Sequence, residues 1–267
     1  MTERIAIIAG AGEFPILMAR EFKRRGVETV AVAIQEEADK AIEAEASRTY
    51  WQPLGKVGRL LKVLRKEKIQ RAVLAGKVHK TRIFRDLRPD VKALGLLWGL
   101  RDRKDDTILL KVVDVLKEEG VELLPQTTYM EAFLPEAQVF TRRHPTEEEK
   151  ADVELGAATA RELGRLDIGQ TVVVKRGAVL AVEAIEGTDP AIRRGGSLGN
   201  GGAVAVKVAK PSQDPRFDVP AVGIDTVVAC LDAGVGVLGV EAQKTFFFQR
   251  EEAVALADRH GLVLLAF

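Results

Sequence analysis

The strongest constraint on this chain is a rhythm repeated through its first half: a short apolar run, a turn, then a stretch with helical spacing. Residues 4–9 (RIAIIA) run straight into Gly10-Ala11-Gly12. A helix is expected over 15–25, with Pro15 in the first turn, where a missing N–H costs nothing, and Gly26 as its stop. A second strand is expected over 29–34 (TVAVAI), a helix over 57–66, and a third strand over 71–75 (RAVLA), closed by Gly76. Strand–helix–strand repeats build a parallel sheet with helices on its faces. The expected fold class is therefore α/β, with a Rossmann-like first domain.

The second half reads differently. Pro125, Pro135 and Pro145 loosen the pattern, which suggests a first domain over 1–134, a linker over 135–145 and a second domain over 146–267. Thr146-x-x-Glu149 is a capping box that opens a helix. Residues 171–175 and 178–183 are β runs joined at Arg176-Gly177, a hairpin signature. Residues 203–209 (AVAVKVA) alternate, with Val204, Val206 and Val208 on one face and Lys207 among alanines on the other. Hairpin and alternating strand together predict a mixed α/β second domain. Residues 193–202 (RRGGSLGNGG) read as a flexible glycine loop able to close over a ligand, and Asp189-Pro190 reads as a helix N-cap followed by proline.

Charge and cysteine content narrow the chemistry. The 267 residues carry 40 Lys and Arg against 39 Asp and Glu, a net charge of +1, which argues against nucleic acid as the main partner. The single cysteine, Cys230, excludes an intrachain disulfide and a cysteine-based zinc site, and its apolar setting suits a core position. The first residues lack a secretory signal, and the most apolar long stretch, 221–240, is interrupted by Asp225 and Asp232. A soluble, cytoplasmic protein is expected, touching a membrane only peripherally. Residues 93–100 (ALGLLWGL), with Trp98 and followed by Arg101, Arg103 and Lys104, read as a core helix or as a surface for acyl chains.

Three groups of residues are candidates for chemistry. Gly10 and Gly12, with Gly76 and Lys77, lie at strand ends where open α/β sheets gather ligands, and an anion is favoured at the helix N-terminus there. Pro15 stands where the dinucleotide fingerprint wants its third glycine, which disfavours a nicotinamide cofactor. Glu183, Glu186 and Asp189 cluster around Gly187, as metal ligands or general bases do. Lys207 and Lys210 precede a loop with Gln213, Asp214, Arg216 and Asp218, fixed by Pro211, Pro215 and Pro220. There is no G-x-S-x-G, no Walker loop and no histidine spacing that suits a metal. Carboxylates, lysines, arginines and glycines suit phosphoryl chemistry with a divalent metal.

The string from Asp167 to Asp189 (DIGQTVVVKRGAVLAVEAIEGTD) and that from Val206 to Gly223 (VKVAKPSQDPRFDVPAVG) resemble the LpxI family, bacterial UDP-2,3-diacylglucosamine pyrophosphatases of lipid A biosynthesis. The amino-terminal strings IAGAGEFP, LGKVG and AGKV resemble its first domain. The resemblance implies water attack on the α-phosphorus of UDP-2,3-diacylglucosamine, releasing UMP and 2,3-diacylglucosamine 1-phosphate. It also implies Mg2+ or Mn2+, a homodimer, and two domains with the lipid between them. The essential aspartate of the family corresponds to Asp218. On this reading Asp218, Asp214 and Glu186 are catalytic candidates, and Asp189, Glu183 and Asp218 are metal candidates. Gly10, Gly12, Gly76, Lys77, Lys175, Thr188, Lys207, Lys210, Gln213 and Arg216 are substrate contacts. A nicotinamide-dependent oxidoreductase and a non-catalytic nucleotide-sugar module are the competing readings.

Overall fold

The computed structural model describes residues 3–78, 90 and 105–267. The apolar segment 93–100, with Trp98, and the residues His79, Lys80, Arg101, Arg103 and Lys104 lie outside the described residues. The chain divides into two units: Met1–Met130 with Pro215–Phe217, and Glu131–Asp214 with Asp218–Phe267.

The first unit is built on strands Arg4–Ala9 (β1), Glu28–Ile34 (β2), Arg48–Gln52 (β3), Arg71–Ala75 (β4) and Glu122–Leu123 (β5). They form one parallel sheet in the order β3-β2-β1-β4-β5. Residues 5–9 and 29–34 are buried without interruption, as strands covered on both faces must be. Helix Phe14–Arg24 (α1) buries Met18 and Phe22, Ile42–Glu45 (α2) is a single turn, and Val57–Lys66 (α3) buries Leu60, Leu61 and Leu64. Asp105–Glu118 (α4) adds Val113 and Leu116 to the cluster formed by Leu60, Leu61 and Leu64. The carboxylate of Asp90 accepts the Gly58 N–H at 2.7 Å in the first turn of α3. At the amino ends of the strands, the carboxylate of buried Glu67 accepts from Tyr50 and Arg48, and its backbone carbonyl accepts from Arg4. The Tyr50 hydroxyl bond, more than offsetting burial, holds its carboxyl below the usual carboxylate range, together with the Arg48 and Arg4 guanidiniums. This acid is structural.

The second unit contains Gln138–Val139 (β6), Thr171–Lys175 (β7), Ala178–Val182 (β8), Ala203–Lys207 (β9), Val235–Val240 (β11) and Val263–Ala266 (β13). Their order is β6-β13-β11-β9-β7-β8. The β9, β11 and β13 pairings are parallel, and β7 runs antiparallel to both β8 and β9. Ala221–Val222 (β10) pairs separately with Phe246–Phe247 (β12). Helix Glu147–Arg165 (α5) starts with the expected capping box and packs Val153, Ala157 and Ala160 on Val172, Val174, Val204 and Val206. Helices Thr188–Gly199 (α6), Ile224–Asp232 (α7) and Arg250–His260 (α8) cover the opposite face. The β7–β8 turn has Arg176 and Gly177 at φ 50° and 73°, the pair of left-handed residues that a tight hairpin requires. Buried Asp152 accepts both of their N–H groups at 2.7 Å.

Three expectations need correction. Residues 135–145 are not a bare linker: β6 pairs antiparallel with β13, and the Thr141 hydroxyl accepts the Leu264 N–H at 3.1 Å. A two-residue edge strand is too short to leave a periodic signal. Residues 193–199 are not a flexible loop but the body of α6. Its glycines let neighbours approach: a Cβ on Gly195 would lie 2.4 Å from Val173 Cβ, and one on Gly196 would lie 2.4 Å from the Ala233 carbonyl oxygen. Asp189 is not the N-cap of this helix: Gly187 is, at φ 85° and with no side-chain cap, and Asp189 lies inside the first turn. Cys230 is buried in α7, as its apolar setting implied, and burial pushes its thiol far up, which leaves it inert.

The glycine packing in α6 gives a direct test. Gly195→Ala should lower the melting temperature of the second unit, with a cost on the overpacking scale of about 1–3 kcal/mol. In a solvated loop the same change would be neutral, and thermal melts followed by circular dichroism distinguish the two.

Candidate active site

The strand order of the first unit reverses between β1 and β4, the place where ligands gather in open α/β sheets. Gly10, Gly12, Gly76 and Lys77 all lie there, but the two turns are tied to each other. The Ala11 N–H donates to the Lys77 carbonyl at 2.7 Å, the Lys77 N–H donates to the Ala11 carbonyl at 3.0 Å, and the Gly10 N–H donates to the Ala75 carbonyl at 2.8 Å. A Cβ on Gly10 would lie 2.4 Å from the Lys77 oxygen, and one on Gly76 would lie 2.5 Å from the Ala11 oxygen. Glycine is therefore required by the approach of two backbones. The N–H groups of Gly10, Ala11 and Lys77 all donate to carbonyls of the neighbouring strand or turn, so these three are not offered to an anion. Gly12, at φ 93°, keeps open space where a Cβ would be, and the Lys77 side chain is exposed.

The second unit assembles a polar row at the end of β9. Thr171 stands opposite Lys207 in the antiparallel register, and the Glu183 N–H donates to the Thr171 carbonyl at 2.8 Å. Glu183, Thr171 and Lys207 thus lie side by side on adjacent strands, on the face that α6 covers. All three are buried, at 8%, 0% and 7% exposure. Thr188, in the first turn of α6, meets this row. The Lys207 ammonium donates to the Thr188 hydroxyl oxygen at 3.0 Å and to the Ala221 carbonyl at 3.0 Å. The Thr188 hydroxyl donates to Glu183 Oε1 at 3.0 Å, and the Gln170 N–H donates to Glu183 Oε2 at 3.3 Å. The Thr171 hydroxyl has no hydrogen-bond partner.

The polar loop after β9 starts from the same edge. Glu241 Oε2 accepts the Ala209 N–H at 2.9 Å, the Lys210 N–H donates to the Gln213 side-chain oxygen at 2.8 Å, and the Lys210 ammonium meets Asp167 at 2.9 Å. The Asp218 N–H donates to the Asp214 carbonyl at 3.0 Å. Between these two aspartates the chain enters the first unit for three residues. There the Pro215 carbonyl accepts the Gln126 N–H at 2.7 Å, and Phe217 packs on the core cluster of the first unit. Arg216 therefore belongs with the first unit, and Asp214 and Asp218 with the second.

Two other candidates serve neighbouring backbone or side chains. The Lys175 ammonium donates to the carbonyls of Gly199 and Gly201 at 2.6 Å each, closing the C-terminus of α6. Glu186 is exposed and meets Arg194 at 2.6 Å. Its own N–H, then the Arg194 guanidinium, hold its carboxyl below the usual carboxylate range. Gln170, Thr171 and Glu241 were not singled out from the sequence. Only the register places Thr171 beside Lys207, and no periodic signal marks Glu241.

Among the described residues, no three His, Cys, Asp or Glu side chains gather around one point. The acids on this edge fit a hard ion held by one or two carboxylates together with substrate phosphates, which is the usual arrangement for Mg2+. Carboxylate oxygens are the donors that an ion of this class takes.

Residues 4–133 match the family model of the LpxI N-terminal domain, and residues 136–265 match that of the LpxI C-terminal domain. The chain belongs to the LpxI family. This LpxI-family chain is 33% identical over 274 residues to the UDP-2,3-diacylglucosamine pyrophosphatase LpxI of Caulobacter vibrioides, covering 98% of this chain and 96% of that protein. Among solved structures it is similar to the biotin carboxylase domain of the Hydrogenobacter thermophilus 2-oxoglutarate carboxylase. That match has 12% identity and a TM-score of 0.30, covering 67% of this chain and 36% of that one. It is also similar to the pyruvate carboxylase of Rhizobium etli, with 12% identity and a TM-score of 0.32, covering 64% of this chain and 15% of that one. The LpxI-family chain thus spans well under half of these carboxylases, and scores this low carry no argument about fold.

The anchoring of the loop by Glu241 sets a pH dependence. Burial pushes the Glu241 carboxyl up, but the Ala209 N–H and the Lys244 and Arg161 cations more than offset this and leave it below its ordinary value. A depressed carboxylate pKa contributes stability that is complete above the unfolded value of about 4.3 and is lost as pH falls through the folded value. Glu241→Gln should lower the melting temperature at neutral pH and flatten its decline on acidification below about pH 4.3. Melts of both proteins across pH 3 to 7 check this; parallel curves would remove Glu241 from that role.

Proposed function

We propose that this chain hydrolyses UDP-2,3-diacylglucosamine to UMP and 2,3-diacylglucosamine 1-phosphate, a step of lipid A biosynthesis. The observation that carries this reading is the alignment with the Caulobacter vibrioides pyrophosphatase along 98% of the chain. The buried lysine at the end of β9 supports it, because phosphoryl transfer needs fixed positive charge near the phosphate oxygens.

In this proposal water attacks the α-phosphorus and the diacylglucosamine 1-phosphate leaves. Lys207 and Lys210 neutralise phosphate oxygens, and Gln213 helps fix the loop that begins at Lys210. Asp218 orients the attacking water or accepts its proton. Mg2+ or Mn2+, held by Asp218 and Asp189 with substrate phosphates, would supply further neutralisation of phosphate charge. Within the first unit by itself, Gly12 and Lys77 remain candidates for contact with an anionic group. Peripheral contact with the cytoplasmic face of the inner membrane is proposed with the reaction, since the substrate carries two acyl chains, and a homodimer is proposed on the family resemblance alone. Among the described residues, no helix is long and apolar enough to cross a membrane.

The purified protein should release UMP from UDP-2,3-diacylglucosamine with Mg2+, stop with EDTA, and recover when Mn2+ or Mg2+ is restored. In 18O-labelled water the label should enter UMP. Full turnover in excess chelator, with metal absence shown by elemental analysis, would overturn the metal requirement. Label in the lipid product would overturn the regiochemistry.

Asp218 is the residue on which the chemistry most depends. Asp218→Ala should fold normally, retain substrate and lose about 10²-fold or more in kcat, the scale for removing an acid–base group. A lowered melting temperature with near-normal kcat would make Asp218 a structural residue and move the role to Asp214.

A further inference from the structure

The buried row poses a proton-direction problem with one solution. A hydroxyl carries a single proton. The Thr188 oxygen accepts from the Lys207 ammonium, so its own proton has to point elsewhere, and Glu183 Oε1 accepts it at 3.0 Å. An ionised carboxylate only accepts, which fixes the order as ammonium to hydroxyl to carboxylate. Glu183 is itself held. Its second oxygen takes the Gln170 N–H, and its backbone lies so close to Gly169 that a Cβ there would stand 2.1 Å from the Glu183 carbonyl oxygen. With both carboxylate oxygens already accepting hydrogen bonds and its backbone packed on Gly169, Glu183 is committed to the protein's own groups.

We propose that Glu183 and Thr188 are positioning residues for Lys207: they fix its ammonium at the end of β9 and do not themselves bind metal or phosphate. This rests on the pyrophosphatase reading, in which Lys207 faces a phosphate. It reassigns Glu183 from metal ligand and Thr188 from substrate contact. The carboxylate places negative charge one hydroxyl away from the buried ammonium, and Thr188 converts that charge into a direction.

Two measurements test it together. In protein labelled with 15N at lysine, the Lys207 ammonium should give a slowly exchanging signal, assigned by its loss in Lys207→Met. The signal should persist in Thr188→Ser and disappear in Thr188→Val and Glu183→Gln. In the UMP-release assay, Thr188→Val and Glu183→Gln should lose about 10–100-fold in kcat/KM, the usual cost of removing an outer partner of a functional group. Thr188→Ser should recover most of that loss. The Mg2+ concentration for half-maximal rate should stay that of the wild type in every variant.

A Thr188→Val protein with wild-type kcat/KM and an intact Lys207 signal would overturn the proposal. So would a Glu183→Gln protein that needs much more Mg2+ while its Lys207 signal persists, because that is the behaviour of a metal ligand. If Glu183→Gln fails to fold, the Thr188→Val and Thr188→Ser pair decides. If the wild type releases no UMP, the pyrophosphatase reading falls, and the ammonium signals alone decide whether Glu183 and Thr188 position Lys207.

Discussion

Burying the ammonium of Lys207 constrains much of the second unit. A charge taken out of water is costly unless oxygen atoms replace its hydration shell. Two of those oxygens come from different elements: the hydroxyl of Thr188 in the first turn of α6 and the carbonyl of Ala221 in β10. Bringing Thr188 down to the sheet requires α6 to begin at that edge, and the chain turns into it through Gly187 at φ 85°. Lying close over β7 in turn requires glycine at 195, where any side chain would meet Val173. The lysine, the turn and the small residues of the helix are parts of one arrangement.

Backbone proximity also explains the first unit. Its two glycine turns could be read as a phosphate cradle, since both sit where the sheet order reverses. The structure instead pairs them through Ala11 and Lys77. Gly10 and Gly76 each face a carbonyl oxygen of the other turn, so their lack of a side chain serves backbone contact first. A glycine motif alone does not distinguish a ligand's backbone contact from the protein's own.

Much of the fold was legible because local pattern and final environment agree. The strands 4–9 and 71–75 and the helix 57–66 coincide with their apolar runs, since each is buried along its length or on one stripe. The capping box at Thr146 and the hairpin at Arg176-Gly177 were legible because both are local chemistry. The site was only half legible. Alternation put Lys207 on a face of alanines, but its neighbours Thr171 and Glu183 arrive from other strands through a register that no local pattern states. The string RRGGSLGNGG misleads for a related reason: glycine's propensity argues for a loop, and tertiary contact with Val173 and Ala233 outweighs it. Asp189-Pro190 misleads by two residues, because Gly187 takes the cap.

On the proposed pyrophosphatase reading, the placement of the cation suits what phosphoryl transfer demands. Little covalent work falls to the protein, so rate depends on charge that is already in place when the transition state forms. A surface lysine samples many rotamers and would have to be ordered during the reaction, at a cost of up to about 2 kcal/mol of side-chain entropy. Lys207 meets that cost on folding. Its strand lies inside the sheet, hydrogen-bonded to β11 on one side and β7 on the other, so the backbone beneath it has little freedom. The hydrogen bonds to Thr188 and Ala221 restrict the side chain. Asp214 and Asp218 lie on a loop, joined by one backbone hydrogen bond. On the proposed reading, a cation fixed in advance suits phosphate charge that is present throughout the reaction, and a carboxylate of that loop would direct the water or hold an ion.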